Sequence, residues 1–359
     1  MEAAASSPAS DYTFVATVGA GAFGYVRRAV HLPTGTLRAV KTVFVRTVCA
    51  DSGQEANLCL PHNLTREVNA LRACAGPHVV TLHETFAVGR SIALALEHCE
   101  VDLRTVLRAH VKRSERDTSG ISEAAVKAIA MQVLSATAHV HASGCLHRDI
   151  KAQNFLFTHT GRLKLCDFGL ARPLQHGGRA DDDVSKATGA VTPTAAGTRW
   201  YRSPELLFGA RRYGAGNDVW AAACVCHEVA DTRARLPCQG EADVHQLVLV
   251  AGMLGAPSPT EEERLSVCPD YGKLDLGFEE SYVDEQASRT VRARHFLRGR
   301  RGGSYGRLRS MLVDAMRWTP QDRLTARDML ARAWFFVAPY ALEEEEILHK
   351  VLLPAVQQK

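Results

Sequence analysis

The sequence predicts an α+β fold in two lobes, a small β-rich part carrying one main helix followed by a larger helical part. Three observations predict it. The 359 residues amount to about two average domains. Strand-like alternation crowds into the first hundred residues, whereas apolar positions beyond residue 120 recur with a helical period. With 46% apolar and 23% charged residues the chain has an ordinary globular mixture, which excludes wholesale disorder, collagen and coiled coil.

Residues 1–11 form an Ala/Ser-rich tail, expected to be flexible. Phe14 to Val45 reads as successive strands, with a glycine cluster after Val18 and a turn at Leu32-Pro33-Thr34-Gly35 before Leu37 to Val45. Leu64, Val68 and Leu71 recur at i, i+4, i+7 and predict a single helix; strand-like runs return at Val79 to Leu82 and Ile92 to Leu96. Ser122 with Glu123 opens a long helix whose Val126, Ile129, Val133, Thr137 and Val140 share one face, and Gly144 closes it. Further helices are expected at Ala221 to Val229, Ala242 to Leu254, Leu308 to Arg317 and Ala326 to Ala331. Lys112 to Gly120, Pro173 to Thr198 and Pro257 to Gly306 read as loops. Ile347 to Leu353 follows a run of four glutamates and reads as a helix docked on the body.

No apolar run approaches the roughly 18 residues of a membrane span; Trp220 to Cys226 and Leu247 to Leu254 stop well short. The opening MEAAASSPASD lacks the basic and apolar regions of a signal peptide, which predicts an intracellular protein of the cytoplasm or nucleus with no membrane partner. Ten scattered cysteines with no CxxC pair argue against a zinc site or a disulfide framework. The net charge of +4 is uneven: eight arginines and no acid lie between Arg289 and Arg309, so the remainder is net acidic. That segment reads either as a solvated loop or as a docking site for an acidic partner or RNA, which salt would weaken.

Gly19-Ala20-Gly21-Ala22-Phe23-Gly24 is a GxGxxG pattern. In a dinucleotide-binding fold it would open a helix; here Tyr25 to Val30 and a turn follow, which reads as a second strand. The pattern is therefore either a backbone flap over phosphates or an ordinary hairpin turn. Lys41, in the third strand, could reach the same phosphates, and Glu67 on the helix could pair with it; each taken singly is more often a surface residue. The stronger signal is His147-Arg148-Asp149-Ile150-Lys151-Ala152-Gln153-Asn154, followed eighteen residues after Asp149 by Asp167-Phe168-Gly169. Two carboxylates, a lysine and an amide oxygen are the equipment of metal-assisted phosphoryl transfer.

These motifs, in this order, are those of the eukaryotic protein kinases, and the chain resembles that family from about Tyr12 to Phe336. Ser203-Pro204-Glu205 stands at the family's Ala-Pro-Glu, Asp218-Val219-Trp220 matches its central helix, and Arg323 matches the arginine that pairs with that glutamate. Trp200-Tyr201-Arg202-Ser203-Pro204-Glu205, and Leu254-Gly255-Ala256-Pro257 with Pro269-Asp270-Tyr271, resemble the CMGC group. Pro61 to Glu67 resembles the cyclin-binding helix of cyclin-dependent kinases, and Glu97 to Leu103 their hinge.

The resemblance implies an N-lobe at 12–99, a C-lobe at 100–338 with a CMGC-type insert near 257–306, and an extension at 339–359. It implies ATP and Mg²⁺ as cofactors and protein Ser/Thr as substrate, since Lys151 follows Asp149 by two residues. Asp149 would take or orient the substrate proton and Lys151 would offset charge on the transferred group. Asp167 and Asn154 would hold the metal, Lys41 the phosphates, and Glu67 would position Lys41. Gly19, Ala20, Gly21, Ala22, Phe23 and Gly24 would cover the nucleotide. Val26, Ala39 and Leu156 would sandwich the base, with Leu96 behind it and Glu97 and Cys99 as hinge groups. Cys166 is either a thiol facing the nucleotide or packing.

Arg66, Arg148 and Arg172 match three arginines that clamp a phosphothreonine in activated relatives. Thr194 or Thr192 is the expected anion, with Asp181 to Asp183 as an alternative. Ala22-Phe23 replaces the inhibitory Thr-Tyr pair of many cyclin-dependent kinases. Gly197, Thr198 and Arg202 stand in the substrate-facing segment, where Arg202 implies a preference for proline after the target and Gly197 relaxes it. A cyclin or other activator is expected at the 61–71 helix. The alternatives are a mitogen-activated-type kinase without a cyclin, against which Ala195 occupies the activating tyrosine position, and a non-catalytic scaffold, which would normally have lost Lys41, Asp149 or Asp167.

Overall fold

The computed structural model describes residues 8–21, 24–48, 57–59, 62–114, 121–174, 199–210, 213–274 and 305–356. Its N-lobe is a five-stranded antiparallel sheet in the order β1-β2-β3-β7-β6. The strands are β1 (Tyr12–Gly21), β2 (Gly24–His31), β3 (Thr36–Phe44), β6 (Leu82–Val88) and β7 (Ser91–Glu97), and the short pair β4 (Arg46–Val48) and β5 (Asn57–Cys59) stands apart. Alternation along β3 buries Val40 and Thr42 on one face, while Ala39 and Lys41 on the other are partly open and Val43, on that second face, is buried against α1. One helix, α1 (His62–Ala73), completes the lobe, with Leu64 packed against Val43 and Leu94.

The C-lobe begins with β8 (Val101–Asp102), which pairs with β10 (Phe155–Phe157), itself paired with β11 (Leu163–Leu165). Helices α2 (Leu103–Ser114), α3 (Glu123–Ala142) and α5 (Ala215–Ala230) enclose the main core, in which Trp220, Phe155 and Phe157 are buried. Ser122 caps α3 through Ala125 N–H. The pair β9 (Cys145–Leu146) and β12 (Arg172–Pro173) brackets the segment carrying Asp149 and Asp167. Around this core stand α4 (Pro204–Leu207), α6 (Asp243–Leu254), α7 (Pro259–Leu265), α8 (Tyr305–Ala315) and α9 (Ala326–Leu330). At the C-terminus Glu344–Ile347 (α10), a π-turn at Leu348–Leu352 and Leu353–Val356 (α11) bury Ile347, Val351, Leu352 and Ala355. That is the docked apolar segment expected there. No helix among the described residues is long and apolar enough to cross a membrane.

Three local expectations need correction. Lys112 to Ser114 are the last turn of α2 rather than loop. The helix was legible in Leu103, Val106 and Leu107, all buried, and in Asp102, whose carboxylate accepts Thr105 N–H at 2.9 Å. The stretch after Pro257 contains α7, opened by a capping box between Ser258 and Glu261. Val79 forms only a bridge to Leu165, and the strand runs from Leu82 instead.

Candidate active site

Sheet alternation and helix pitch bring Lys41 and Glu67 together. Lys41 Nζ donates to Glu67 Oε1 at 2.6 Å and Oε2 at 2.8 Å, and lies 3.5 Å from Asp167 Oδ1. Burial would lower the Lys41 ammonium, but the two carboxylates outweigh it and hold it above the ordinary lysine value. Burial pushes the Glu67 carboxyl up, and Lys41 only partly pulls it back. Asp167 sits at φ 61°, ψ 67°, a left-handed conformation that aspartate tolerates better than most residues. Its side chain is half exposed to the cleft between the lobes.

Across the cleft, Asp149 Oδ2 accepts from Lys151 Nζ at 2.6 Å and from Asn154 Nδ2 at 3.1 Å. Asn154 Nδ2 also donates to the Asp149 carbonyl at 2.7 Å. Asp149 Oδ1, by contrast, has no partner among the described residues. Asp149 N–H donates to His147 Nδ1 at 3.2 Å, so His147 carries its proton on Nε2 and donates it to the Cys166 carbonyl at 3.0 Å. One neutral imidazole thereby ties the Asp149 loop to the residue before Asp167.

Sequence reasoning placed Asp218 on the central helix but missed what it does. Fully buried on α5, it accepts the backbone N–H groups of His147 and Arg148, each at 2.9 Å. It also takes His141 Nε2 at 3.0 Å and the Tyr213 hydroxyl at 2.8 Å. Burial would raise its carboxyl, yet His141 and the His147 N–H hold it below the usual aspartate value. The anchor permits Arg148 its φ of 70°. Only the backbone of the HRD segment is read by Asp218, which is why its residue types gave no signal.

Gly24 Cα lies against β3: a Cβ there would stand 1.9 Å from the Thr42 carbonyl oxygen. At Gly19 a Cβ would meet nothing within 4 Å, so the protein itself does not require glycine and the space over that backbone is open. Ala20 and Gly21 complete β1, while Ala22 and Phe23 lie outside the described residues. Val26, Ala39, Leu96 and Leu156 are all partly exposed, although their neighbours Val40, Ala95, Phe155 and Phe157 are buried. Of the two expected hinge residues, Glu97 has its N–H engaged by the Thr81 carbonyl at 2.8 Å. Burial pushes the Cys99 thiol up to about 12 and the Cys166 thiol well above its ordinary value, which keeps both protonated at neutral pH. The set fits a nucleotide with a hard divalent cation: a half-exposed carboxylate, an amide and an unpartnered carboxylate oxygen beside an ammonium, under open backbone.

Arg66, Arg148 and Arg172 come within electrostatic reach of one another. Burial first, and then the other arginines, lowers the guanidinium of Arg172; burial and Arg66 lower that of Arg148. Thr192, Thr194, Gly197, Thr198, Asp181 to Asp183 and Ala195 lie outside the described residues, as does the arginine-rich segment up to 304. Arg202 is paired with Asp243 at 3.3 Å, and Arg323 holds Glu205 at 2.6 and 2.8 Å in a buried pair.

Residues 12–335 match the protein kinase domain family. Cyclin-dependent kinase 20 of Rattus norvegicus is 33% identical over 337 residues, 94% of this chain and 86% of that protein. Cyclin-dependent kinase 7 of Xenopus laevis is 32% identical over 266 residues, 74% of this chain and 68% of that protein. Among solved structures, a chain of the CAK complex from Chaetomium thermophilum bound to ATP-gamma-S matches with a TM-score of 0.73 and 26% identity, over 94% of both chains. With this fold and these relatives, the chain belongs to the protein kinase family, among the CMGC serine/threonine kinases similar to cyclin-dependent kinases.

Proposed function

We propose that this chain moves the γ-phosphoryl group of ATP to protein serine and threonine hydroxyls in the cleft between Lys41 and Asp149. The observation that carries the reading is the Lys41 ammonium held at 2.6 Å by Glu67 and at 3.5 Å from Asp167. That arrangement fixes a cation for the α and β phosphates beside the carboxylate suited to a metal. Asp149 Oδ1, the oxygen not taken by Lys151 or Asn154, orients the substrate hydroxyl and accepts its proton. Lys151 offsets charge growing on the transferred group. Asp167 and the amide oxygen of Asn154 would hold Mg²⁺, which would neutralise phosphate charge. Val26, Ala39 and Leu156 hold the adenine, with Cys99 as hinge donor.

Activation belongs to two further places. The outer residues of α1, Asn63, Thr65, Arg66 and Asn69, are exposed and suit a cyclin or similar activator. The cluster of Arg66, Arg148 and Arg172 takes an anion from the activation segment, Thr194 or Thr192 once phosphorylated, because three mutually repelling guanidinium groups gain most from a phosphate. Arg202, near the target, favours proline after the phosphorylated residue.

The test is nucleotide binding followed by thermal shift. ATP with Mg²⁺ is expected to raise the Tm of the wild type well above ATP with EDTA, and Asp167→Asn is expected to erase that difference while keeping the metal-free shift. An equal Mg²⁺ effect in Asp167→Asn would overturn the metal assignment.

A further inference from the structure

Helix α2 stands beside the catalytic loop, packed on the Ala152–Asn154 turn, and carries positive charge only. Its sequence, Leu103–Ser114, holds Arg104, Arg108, Lys112 and Arg113 and no acid. Arg104, Arg108 and Lys112 are spaced at i, i+4 and i+8 and share one face. Arg108 and Lys112 are exposed and make no ion pair among the described residues. The C-terminal end of a helix favours cations, which accounts for Lys112 and Arg113 in the last turn. It does not account for Arg108 in the middle, which like charges flank on the same face.

One buried carboxylate fixes where this face lies. Glu228 on α5, with no exposed surface, accepts the Arg104 guanidinium at Oε1 and the Tyr201 hydroxyl at Oε2, the latter at 2.7 Å. The backbone of Ala152, three residues after Asp149, bonds to the same hydroxyl. Arg108, one turn beyond Arg104, is within electrostatic reach of Glu228. A carboxylate so enclosed cannot receive a cation from a substrate, so this wall offers a peptide positive charge. Arg233 extends it, exposed on the loop whose Ala234 carbonyl accepts Arg104 Nη1 at 3.4 Å.

The Arg199–Tyr201 turn has a different neighbour on its other side. Trp200 Nε1 donates to the Gly240 carbonyl at 2.8 Å, and Arg199 and Arg202 both pair with Asp243 on α6. Tyr201 reaches instead to Glu228 and, through it, to α2. With Arg202 reading the residue after the target, the residues before the target run over α2. Four residues of helix advance about 6 Å, the length of about two residues of extended peptide, so Arg108 and Lys112 serve successive stretches of that path.

We infer that α2 selects substrates carrying acidic residues within about five positions before the phosphorylated serine or threonine, with Arg108 and Lys112 pairing with their carboxylates. The inference rests on the reading above that the chain phosphorylates protein hydroxyls followed by proline. Both cations set specificity and touch no reacting atom. Exposed ion pairs are weak singly and screened by salt, so the preference comes from two of them together.

The test uses the full chain, Mg-ATP and four peptides that share a central Ser-Pro. Three carry two glutamates, two alanines or two arginines at the third and fourth positions before the serine, and one carries two glutamates at the third and fourth positions after it. The first is expected to give a kcat/KM about fivefold that of the alanine peptide, mainly through KM, with the arginine peptide below both. Raising salt to ~0.5 M is expected to close the gap. Glutamates after the target are expected to bring no such gain. Arg108→Glu combined with Lys112→Glu is expected to invert the order, placing the arginine peptide above the glutamate peptide, which a loss of structure cannot do. Should that variant not fold, Arg108→Gln with Lys112→Gln is expected to level the three peptides. Equal kcat/KM for the three peptides with the wild type, a larger gain from glutamates after the target, or a glutamate preference kept by the charge-altered variant would overturn the inference. Transfer to none of the peptides, before or after exposure to cell extract, would overturn the kinase reading itself, whereas equal transfer to all leaves that reading standing and removes only this one.

Discussion

At Lys41 two carboxylates share one ammonium, Glu67 at 2.6 Å and Asp167 at 3.5 Å. Replacing it by methionine should reduce transfer by at least about a hundredfold, the scale of removing one fixed electrostatic group from such a site. The fold should survive, because Glu67 can take up a proton when its partner is gone, and burial already raises its carboxyl. The sign follows from linkage. A carboxyl whose folded value is raised favours the fold below the unfolded glutamate value, near 4.3, and that contribution is lost as pH rises through the folded value. Lys41→Met should therefore approach wild-type stability on acidification, read as urea midpoints across that range; a constant gap would contradict it. Both residues were legible as types at the right spacing. Their pairing was legible as an expectation, and its geometry depends on where α1 lies against β3.

At the scale of elements, Gly24 joins β1 and β2 to β3 so closely that alanine has no room beside the Thr42 carbonyl. Gly24→Ala should cost about 2 kcal/mol or more, seen as a lower Tm, whereas Gly19→Ala should leave Tm unchanged and weaken ATP binding, since only the ligand would meet its methyl. Likewise Glu205→Gln should cost about 3 kcal/mol by stranding Arg323 in the core. The sequence showed the long helices well: the period of α3 and its Ser122 cap are where expected. It hid α2 because the hinge and the charged turn at Lys112 to Ser114 broke the apparent pattern, although Leu103, Val106 and Leu107 carried it. Helix α7 escaped notice within a long polar stretch, despite the local capping box at Ser258 and Glu261.

Across the whole molecule, Asp218 joins the central helix to the catalytic loop, and the two lobes meet around Lys41, Asp167 and Asp149. Because Asp218 is depressed in the fold, its contribution is complete above the unfolded aspartate value near 3.9 and is lost as pH falls through the folded value. Asp218→Asn should be less stable by about 3 kcal/mol at pH 7, and the gap should narrow below pH ~4. An unchanged gap at low pH would contradict that assignment. Such a hub is invisible in the sequence, because it is formed by backbone N–H groups that every residue except proline possesses. The two-lobed order was legible because the glycine pattern lies more than a hundred residues before the Asp149 segment and Asp167, and the three make chemical sense only together.

The most direct measurement is γ-phosphate transfer from Mg-ATP to a Ser-Pro peptide by the purified chain, before and after exposure to cell extract, with Asp149→Asn alongside. The account predicts phosphoserine from the wild type in at least one of those states and none above background from Asp149→Asn. ATP binding with no transfer in either state, or equal transfer by the two proteins, would contradict it.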